Sequence, residues 1–342
     1  MKIINKINTE IINDKQLNLK FLSVLNNEIK MECKILTGNF FLDSFNYFPI
    51  TEEYNTFSEI YSWGEPNKYN NFYTNDFLKN FKKNMSNYKN IKNAFILGSS
   101  PTDNYYRNMI TFLPRIFFIK ENKINLVIHR NLSNKFKNFI FSLCKILKIN
   151  IQWVFLDDNF YKFSDSQIPQ FLKHEDSINL LKRFIIPNEK KKEKKIYITR
   201  QNSNYRNLIN EADLVAVLKK KGFEIFDLNQ LDIVKQMNLF HQAKLIISVT
   251  SSSLTNIIFS SKGTRIIEIS PHYQFDYENS LKFRFRDISN QLDLEHDFIE
   301  ADPINIENKN KKINSFIPEK ILNESNYYKN LLIKIDDINK IL

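Results

Sequence analysis

Glycine is scarce in this chain, with 5 residues in 342, and cysteine scarcer still, with only Cys33 and Cys144. So few glycines cannot furnish a set of Gly-rich phosphate loops, and neither G-x-G-x-x-G nor a P-loop occurs. Nicotinamide-dehydrogenase and kinase readings lose their basis. Two cysteines rule out a disulfide framework and suit a reducing compartment. The five histidines (His129, His174, His241, His272 and His296) form no pair at metal-ligand spacing, so neither a metal nor any other cofactor is expected. No G-x-S-x-G elbow is present. The first residues lack an apolar secretory core, and no run of about 18 apolar residues exists. A cytoplasmic protein is expected, held to a membrane at most by its surface.

Aromatic residues, by contrast, are plentiful. With 30 Phe and 15 Tyr, and 42% hydrophobic residues, the chain can build large cores over two domains. Lys and Arg (49) outnumber Asp and Glu (38), giving a net charge of +11. Nucleic acid, an anionic membrane surface and a phosphate-bearing small molecule all fit such an excess.

Residues up to about 50 read as short strands, including 19–24 and 29–35, and a helix is expected near 76–85. From residue 93 apolar runs alternate with helical periodicity. Strands are expected at 94–97, 124–128 and 151–156, with helices at 105–120 (broken at Pro114) and 132–148. A charged run, 188–195, reads as a linker. The alternation then restarts, with strands at 196–199, 223–227, 245–249 and 265–269. Helices are expected from Asn210, as cap, to Lys221, at 233–243 and at 253–261, and a terminal helix over 327–342. Strands alternating with helices imply an α/β fold with parallel sheets, whose ligand lies beyond the carboxyl ends of the strands. The expected division is an amino-terminal domain over 1–188, a carboxyl-terminal domain over 189–325 and a helix over 326–342.

Chemistry concentrates at three such strand ends. Arg200 and Arg206 flank a polar loop, and guanidinium forks suit phosphate oxygens. Thr250, Ser251, Ser252 and Ser253 lie between a strand and a helix start, where free N–H groups can hold phosphate, with Asn256 one turn on. Glu268 interrupts a strand of isoleucines, either as a structural group with a partner or as an acceptor for ribose hydroxyls. In the first half, Asp103, Asn104 and Arg107 open a helix; Asp103 is either a cap or a general base.

In order along the chain, these residues resemble glycosyltransferase family 61. The matching features are Arg200…Arg206, Asn210-Glu211, Gly222-Phe223, Gln236-x-x-Leu239-Phe240-x-x-Ala243, Leu254-Thr255-Asn256, Phe259, Gly263 and Ile267-Glu268-Ile269. Asn104-Tyr105-Tyr106 and Leu113-Pro114-Arg115 extend the resemblance upstream, over roughly residues 93–275. It implies a GT-B fold of two facing Rossmann-like domains and inverting, metal-independent transfer from a nucleotide-sugar. Arg200 and Arg206 would neutralise the diphosphate, Ser251 to Ser253 would offer N–H groups to it, and Glu268 would hold ribose.

The sequence departs from the family pattern in three places. Thr250 stands where the family has His, Arg107 follows Asn104-x-x in place of His, and Thr111 replaces an acidic residue. Either Asp103 or His129 then serves as base with a different donor, or the copy is weak or inactive. The expected function is synthesis of a bacterial surface glycan (capsule or lipopolysaccharide) on a glycan or lipid-linked acceptor, near an anionic membrane and without nucleic acid. The alternatives are a pyruvyl or Kdo/sialyl-type transferase, and a basic scaffold protein.

Overall fold

The computed structural model describes residues 33–50, 75–184, 193–201, 203, 205–273, 279–304 and 324–342. It also describes the short strands β1 (Lys2–Ile4), β2 (Ile12–Asp14), β3 (Leu19–Phe21) and β11 (Ile186–Pro187). The chain divides into two compact units, Met1–Ile186 and Pro187–Leu342. Most of the charged run expected as a linker, and the strand residues expected at 22–32, lie outside the described residues.

In the first unit β4 (Cys33–Asp43), β5 (Pro49–Ile50), β6 (Asn90–Lys92), β7 (Ala94–Ile96), β8 (Lys123–His129), β9 (Asn150–Leu156) and β10 (Phe160–Pro169) join β1 in one sheet of order β1-β4-β10-β7-β8-β9. Strands β10, β7, β8 and β9 run parallel, as the alternation implies. The sheet is not wholly parallel, however: β4 pairs antiparallel with β10 and β1 with β4. The long β4 needs no crossover helix to reach β10 in that sense. Helices α1 (Asn75–Asn84), α2 (Asn134–Ile146) and α3 (His174–Phe184) belong to this unit. Phe40, Leu42, Ile96, Val127, Leu156 and Phe163 are among the residues that form its core.

The helix expected over 105–120 is instead a π-helical stretch, Arg107–Phe112, followed by a 3₁₀ stretch, Leu113–Phe118. Pro114, which has no N–H to donate, sits at the start of the second, where none is required. Arg115 thereby enters the core. Its side chain is fully buried and donates to the Leu97 carbonyl (2.9 Å) and the Pro169 carbonyl (2.8 Å), joining the carboxyl ends of β7 and β10. Its guanidinium lies 4.2 Å over the Phe171 ring. Burial without a carboxylate lowers its pKa to about 9.

The second unit carries β12 (Lys194–Ile198), β13 (Glu224–Phe226), β14 (Ala243–Val249), β15 (Arg265–Pro271), β16 (Glu295–Ile304) and β17 (Asn330–Leu332) in the order β13-β12-β14-β15-β16-β17. The first five are parallel and β17 is antiparallel to β16. Strands β14 and β15 read as near-continuous apolar runs because both faces are covered. Helices α4 (Glu211–Lys220), α5 (Ile233–Gln242), α6 (Asn279–Lys282), α7 (Arg284–Gln291) and α8 (Ile335–Ile341) complete it, with 3₁₀ turns over Ser252–Phe259 and Asn326–Tyr328.

The terminal segment corrects the expected helix over 327–342. Only its last turns are helical; β17 precedes them, with Leu331 and Ile333 buried at alternate positions and Ile338 in the same core. Period two suits a strand, not a helix. Asn210 also differs from its expected role. Its side chain does not cap α4 but bonds Ile333 in both directions, donating to its carbonyl and accepting from its N–H.

Gly98, just beyond β7, has φ +74°, and a Cβ there would lie 2.9 Å from the Phe112 ring and 3.1 Å from Tyr47. Phe112 is held by edge contacts to Tyr47 and Phe171 and cannot move aside. Gly98→Ala should lower stability by roughly 2–4 kcal/mol in urea denaturation, adding left-handed strain to overpacking. Wild-type stability in that variant would contradict the packing described.

Candidate functional site

In the second unit β13 lies on one side of β12 and β14 on the other, so the strand order reverses there. In a parallel sheet such a switch, beyond the carboxyl ends of β12 and β14, is where a ligand is expected. The loop after β12 is pinned by one oxygen. Oε1 of buried Glu211 accepts from the Tyr197 hydroxyl (2.6 Å), the Thr199 hydroxyl (2.9 Å) and the Arg200 N–H (3.1 Å). Burial first, and the Glu211 carboxylate second, hold the Tyr197 phenol well above its ordinary pKa.

Arg200 and Arg206 both belong to this loop, and the chain brings them close enough for their charges to repel. Arg200 donates to the Tyr205 carbonyl (2.9 Å), and its Nε is buried without a partner. Burial, reinforced by Arg206, lowers its pKa to about 10. Arg206 is 2% exposed and has φ +58°, a backbone conformation that costs a non-glycine residue about 1–3 kcal/mol. Its guanidinium carbon lies 3.9 Å from the Tyr327 ring centre and 4.8 Å from that of Tyr205. Its Nε and Nη1 have no hydrogen-bond partner among the described residues. Burial opposes its charge, but Tyr327 and Tyr205 outweigh it and raise the pKa. Reciprocally, burial pushes the Tyr327 phenol up, and Arg206 and Arg284 more than reverse this.

Past the end of β14, Thr250 and Ser251 are buried, and Ser252 and Ser253 are half-buried at the head of the 3₁₀ stretch. The Ser251 hydroxyl caps nothing and has no partner among the described residues. Asn256 faces elsewhere: its amide donates to Gln236 Oε1 (3.1 Å) and the Ser253 carbonyl (3.0 Å). Gln236 in turn holds the Leu228 and Leu231 carbonyls. Asn256 thus braces the 3₁₀ stretch against α5.

Glu268 lies in the middle of β15, fully buried, with Oε2 bound to His296 Nε2 (3.0 Å). His296 Nδ1 meets the Ser289 hydroxyl at 2.8 Å. A Ser–His–Glu order resembles a hydrolase triad, but all three groups are buried in the contact between α7, β15 and β16, where they pack the helix onto the sheet. The chain of contacts fastens α7 to β15 and β16. Glu268 Oε1 is buried without a partner among the described residues; burial followed by Glu268 raises the Tyr273 pKa, opposed by Arg206 and a side-chain hydrogen bond with Thr250.

In the first unit, Asp103 has φ +50° and is half-buried, with Oδ1 accepting from Asn108 Nδ2 (3.0 Å). Burial raises its pKa, opposed by hydrogen bonds from Ser133 and Asn108. The cap belongs to Asn104, which accepts the Arg107 N–H (3.0 Å). Arg107 is half-buried on the first turn after that cap. His129 ends β8, fully buried. Its Nδ1 accepts the Asn131 N–H (3.2 Å), which assigns the proton to Nε2, 2.9 Å from Asp158 Oδ1. Both ring nitrogens are therefore engaged.

The profile of the family described as Glycosyltransferase 61 matches residues 38–267. The chain belongs to glycosyltransferase family 61. Glycosyltransferase activity follows from that membership, with a nucleotide-sugar donor and a glycan acceptor in general. No curated protein matches the chain. The family match begins in β4 and ends inside β15, so Arg200, Arg206, Thr250 to Ser253 and Asn256 fall within it. Glu268 stands just beyond, and Tyr273 and Tyr327 well beyond.

Three residues at this transferase's site had no assigned role in the sequence reading: Glu211, Tyr273 and Tyr327. Glu211 leaves a signal, an acid in the first turn of a helix directly after the loop. Tyr327 leaves only the pair Tyr327-Tyr328 in a segment without clear period. Among the described residues no group of three His, Cys, Asp or Glu side chains could hold a metal, and no helix is long and apolar enough to cross a membrane.

Glu211→Leu should cost about 3–5 kcal/mol of stability by stranding three donors, whereas Glu211→Gln, which keeps a carbonyl oxygen, should cost distinctly less. Equal denaturation midpoints for the two variants would refute the acceptor role.

Proposed function

We propose that this chain is an inverting, metal-independent glycosyltransferase with a GT-B arrangement, its donor nucleotide-sugar held by the second unit. The observation that carries the reading is Arg206, a buried cation with two unpaired N–H groups in a costly backbone conformation beside the strand-order reversal. Unpaired N–H groups on a buried guanidinium suit phosphate oxygens, and buried pairing makes such bonds strong. Arg200 adds a second charge, and Ser251 a hydroxyl from the other wall. Two guanidinium groups can then stabilise the departing diphosphate in the role that a divalent cation fills elsewhere.

In the reaction, the acceptor oxygen attacks the anomeric carbon from the face opposite the nucleotide. A C–O bond forms, the bond to the diphosphate oxygen breaks with its electron pair, and the configuration inverts. A carboxylate takes the acceptor proton. Asp103 fits that role better than His129, because neither nitrogen of His129 offers a free lone pair. Glu268 is assigned to ribose only through its unpartnered Oε1, with Oε2 committed to His296. Thr250 and Asn256 shape the wall; Asn104 and Arg107 are placed on the acceptor side.

The pathway we propose is assembly of a bacterial surface polysaccharide, capsule or lipopolysaccharide, in the cytoplasm beside an anionic inner membrane. The net charge of +11 and the exposed Phe141 and Phe155, with Lys137 over the Phe155 ring, favour a peripheral membrane contact.

Arg200→Ala and Arg206→Ala should each reduce transfer by roughly 10²-fold or more, with far-UV circular dichroism unchanged. UDP or GDP should raise the melting temperature of the wild type but not of either variant, and EDTA should leave turnover intact. A thermal response confined to CMP or phosphoenolpyruvate would replace this donor class with a Kdo/sialyl or pyruvyl donor. Retained activity in both variants would remove the phosphate assignment.

Asp103→Asn should lower turnover by about 10²–10⁴-fold without changing donor affinity. The base must be ionised, and burial raises its pKa. The acid limb of the rate profile should therefore fall above the ordinary aspartate value of about 3.9 and vanish in the variant. An unchanged acid limb would assign the base elsewhere.

A further inference from the structure

Arg206 has no carboxylate partner among the described ion pairs, yet it is held in one place. The elements that hold it come largely from the far end of the chain. Leu331 donates its N–H to the Asn207 carbonyl and accepts the Ile209 N–H, both at 2.9 Å. Asn330 Oδ1 accepts the Asn207 N–H at 3.1 Å, and Asn210 bonds Ile333 in both directions. At its other end the same segment is tied to the exit of β15, where Asn326 donates to the His272 carbonyl at 2.8 Å. A strap over 325–333 therefore bridges the loop after β12 and the end of β15. It carries Tyr327 and Tyr328, whose rings reach Tyr273 and Tyr205 respectively.

Of the two rings against Arg206, Tyr327 is the nearer. The guanidinium can use its rings through its planar face and a phosphate only through its N–H edge. An aromatic ring held close against the guanidinium leaves Nε and Nη1 without a partner among the described residues and limits the directions in which they point. Lysine or a mobile arginine would lack both properties.

We infer that Tyr327 is a positioning residue for donor recognition: the carboxyl-terminal strap presses its ring onto Arg206 and so presents the guanidinium edge to a nucleoside diphosphate. The inference rests on the reading of Arg206 as a phosphate ligand. Tyr327 lies outside the stretch matched by the family profile, so nothing in that match assigns it a role. Tyr327 meets the guanidinium through its ring and through a hydroxyl hydrogen bond, and of the two the ring does the positioning.

The test is titration calorimetry of the full chain with UDP and GDP, together with donor kinetics. Tyr327→Leu, which keeps apolar bulk and loses the aromatic face, should weaken nucleotide binding about tenfold, equivalent to about 1.4 kcal/mol. Donor KM should rise with kcat at saturation little changed, a split that general unfolding would not produce. Tyr327→Phe should bind within about threefold of the wild type. Asn330→Ala, which cuts the tether to Asn207 and leaves the ring intact, should give a smaller loss in the same direction. It serves as the measure if the leucine variant does not fold. Wild-type binding by Tyr327→Leu alongside a tenfold loss in Arg206→Ala would overturn the inference alone. Wild-type binding by both would overturn the phosphate reading and this inference with it. A phenylalanine variant as weak as the leucine variant would also overturn it, by assigning the effect to the hydroxyl.

Discussion

The second unit is organised around a cation that its own core does not neutralise. Arg206 is 2% exposed and stands where burial penalises charge, and the structure answers with aromatic rings and neighbouring phenols instead of an acid. An internal carboxylate would have compensated the charge directly, but it would also have taken the N–H groups that have no partner among the described residues. Without one, the surroundings bear the strain. Glu211 fixes the start of the loop through three hydrogen bonds, the strap fixes its end, and the backbone at Arg206 accepts a left-handed conformation between them.

Arg115 in the first unit shows the opposite solution to a similar problem. It too is buried without a carboxylate and with an unpartnered Nε, but main-chain carbonyls accept from both Nη groups and a phenylalanine ring covers it. Its bonds are spent on joining β7 to β10, which leaves little for a ligand. The contrast separates the two buried arginines by what their N–H groups meet, a distinction that burial or charge alone would miss. The same criterion divides two other buried polar groups: Glu268 has one oxygen committed and one without a partner among the described residues, whereas both nitrogens of His129 are committed.

The α/β class and most strand positions were legible because buried parallel strands leave short apolar runs that need little context. Ile196-Tyr197-Ile198, Leu245 to Val249 and Arg265 to Ile269 are of this kind, and the loops at their ends pointed to Arg200, Arg206 and Ser251. What failed depended on contacts made far along the chain. The antiparallel pairing of β4 with β10 joins residues more than a hundred positions apart, and no local pattern encodes it. Asn210 looked like a cap because its neighbours are those of a helix start, but Ile333 claimed its side chain. The segment from Tyr327 looked helical because Leu331, Ile335 and Ile338 fall at helical spacing, whereas the sheet edge recruits Asn330 to Leu332 as a strand. Partner choice for Glu268 was open for the same reason: His296 faces it only because β15 and β16 are neighbours.

The boundary of the family match has a physical consequence. It ends inside β15, so β16, β17 and the strap, which complete the sheet and hold Arg206, stand outside it. The arginine-bearing loop and the surface that orients it are thus carried by separate stretches of sequence. The loop cannot adopt its observed shape unaided, because a buried left-handed arginine needs external support to persist. Family membership therefore accounts for the presence of the arginines, and the carboxyl-terminal segment for their geometry. The two stretches meet at the rings of Tyr205, Tyr273, Tyr327 and Tyr328, so a change in the strap alters the surroundings of Arg206 while every matched residue stays the same.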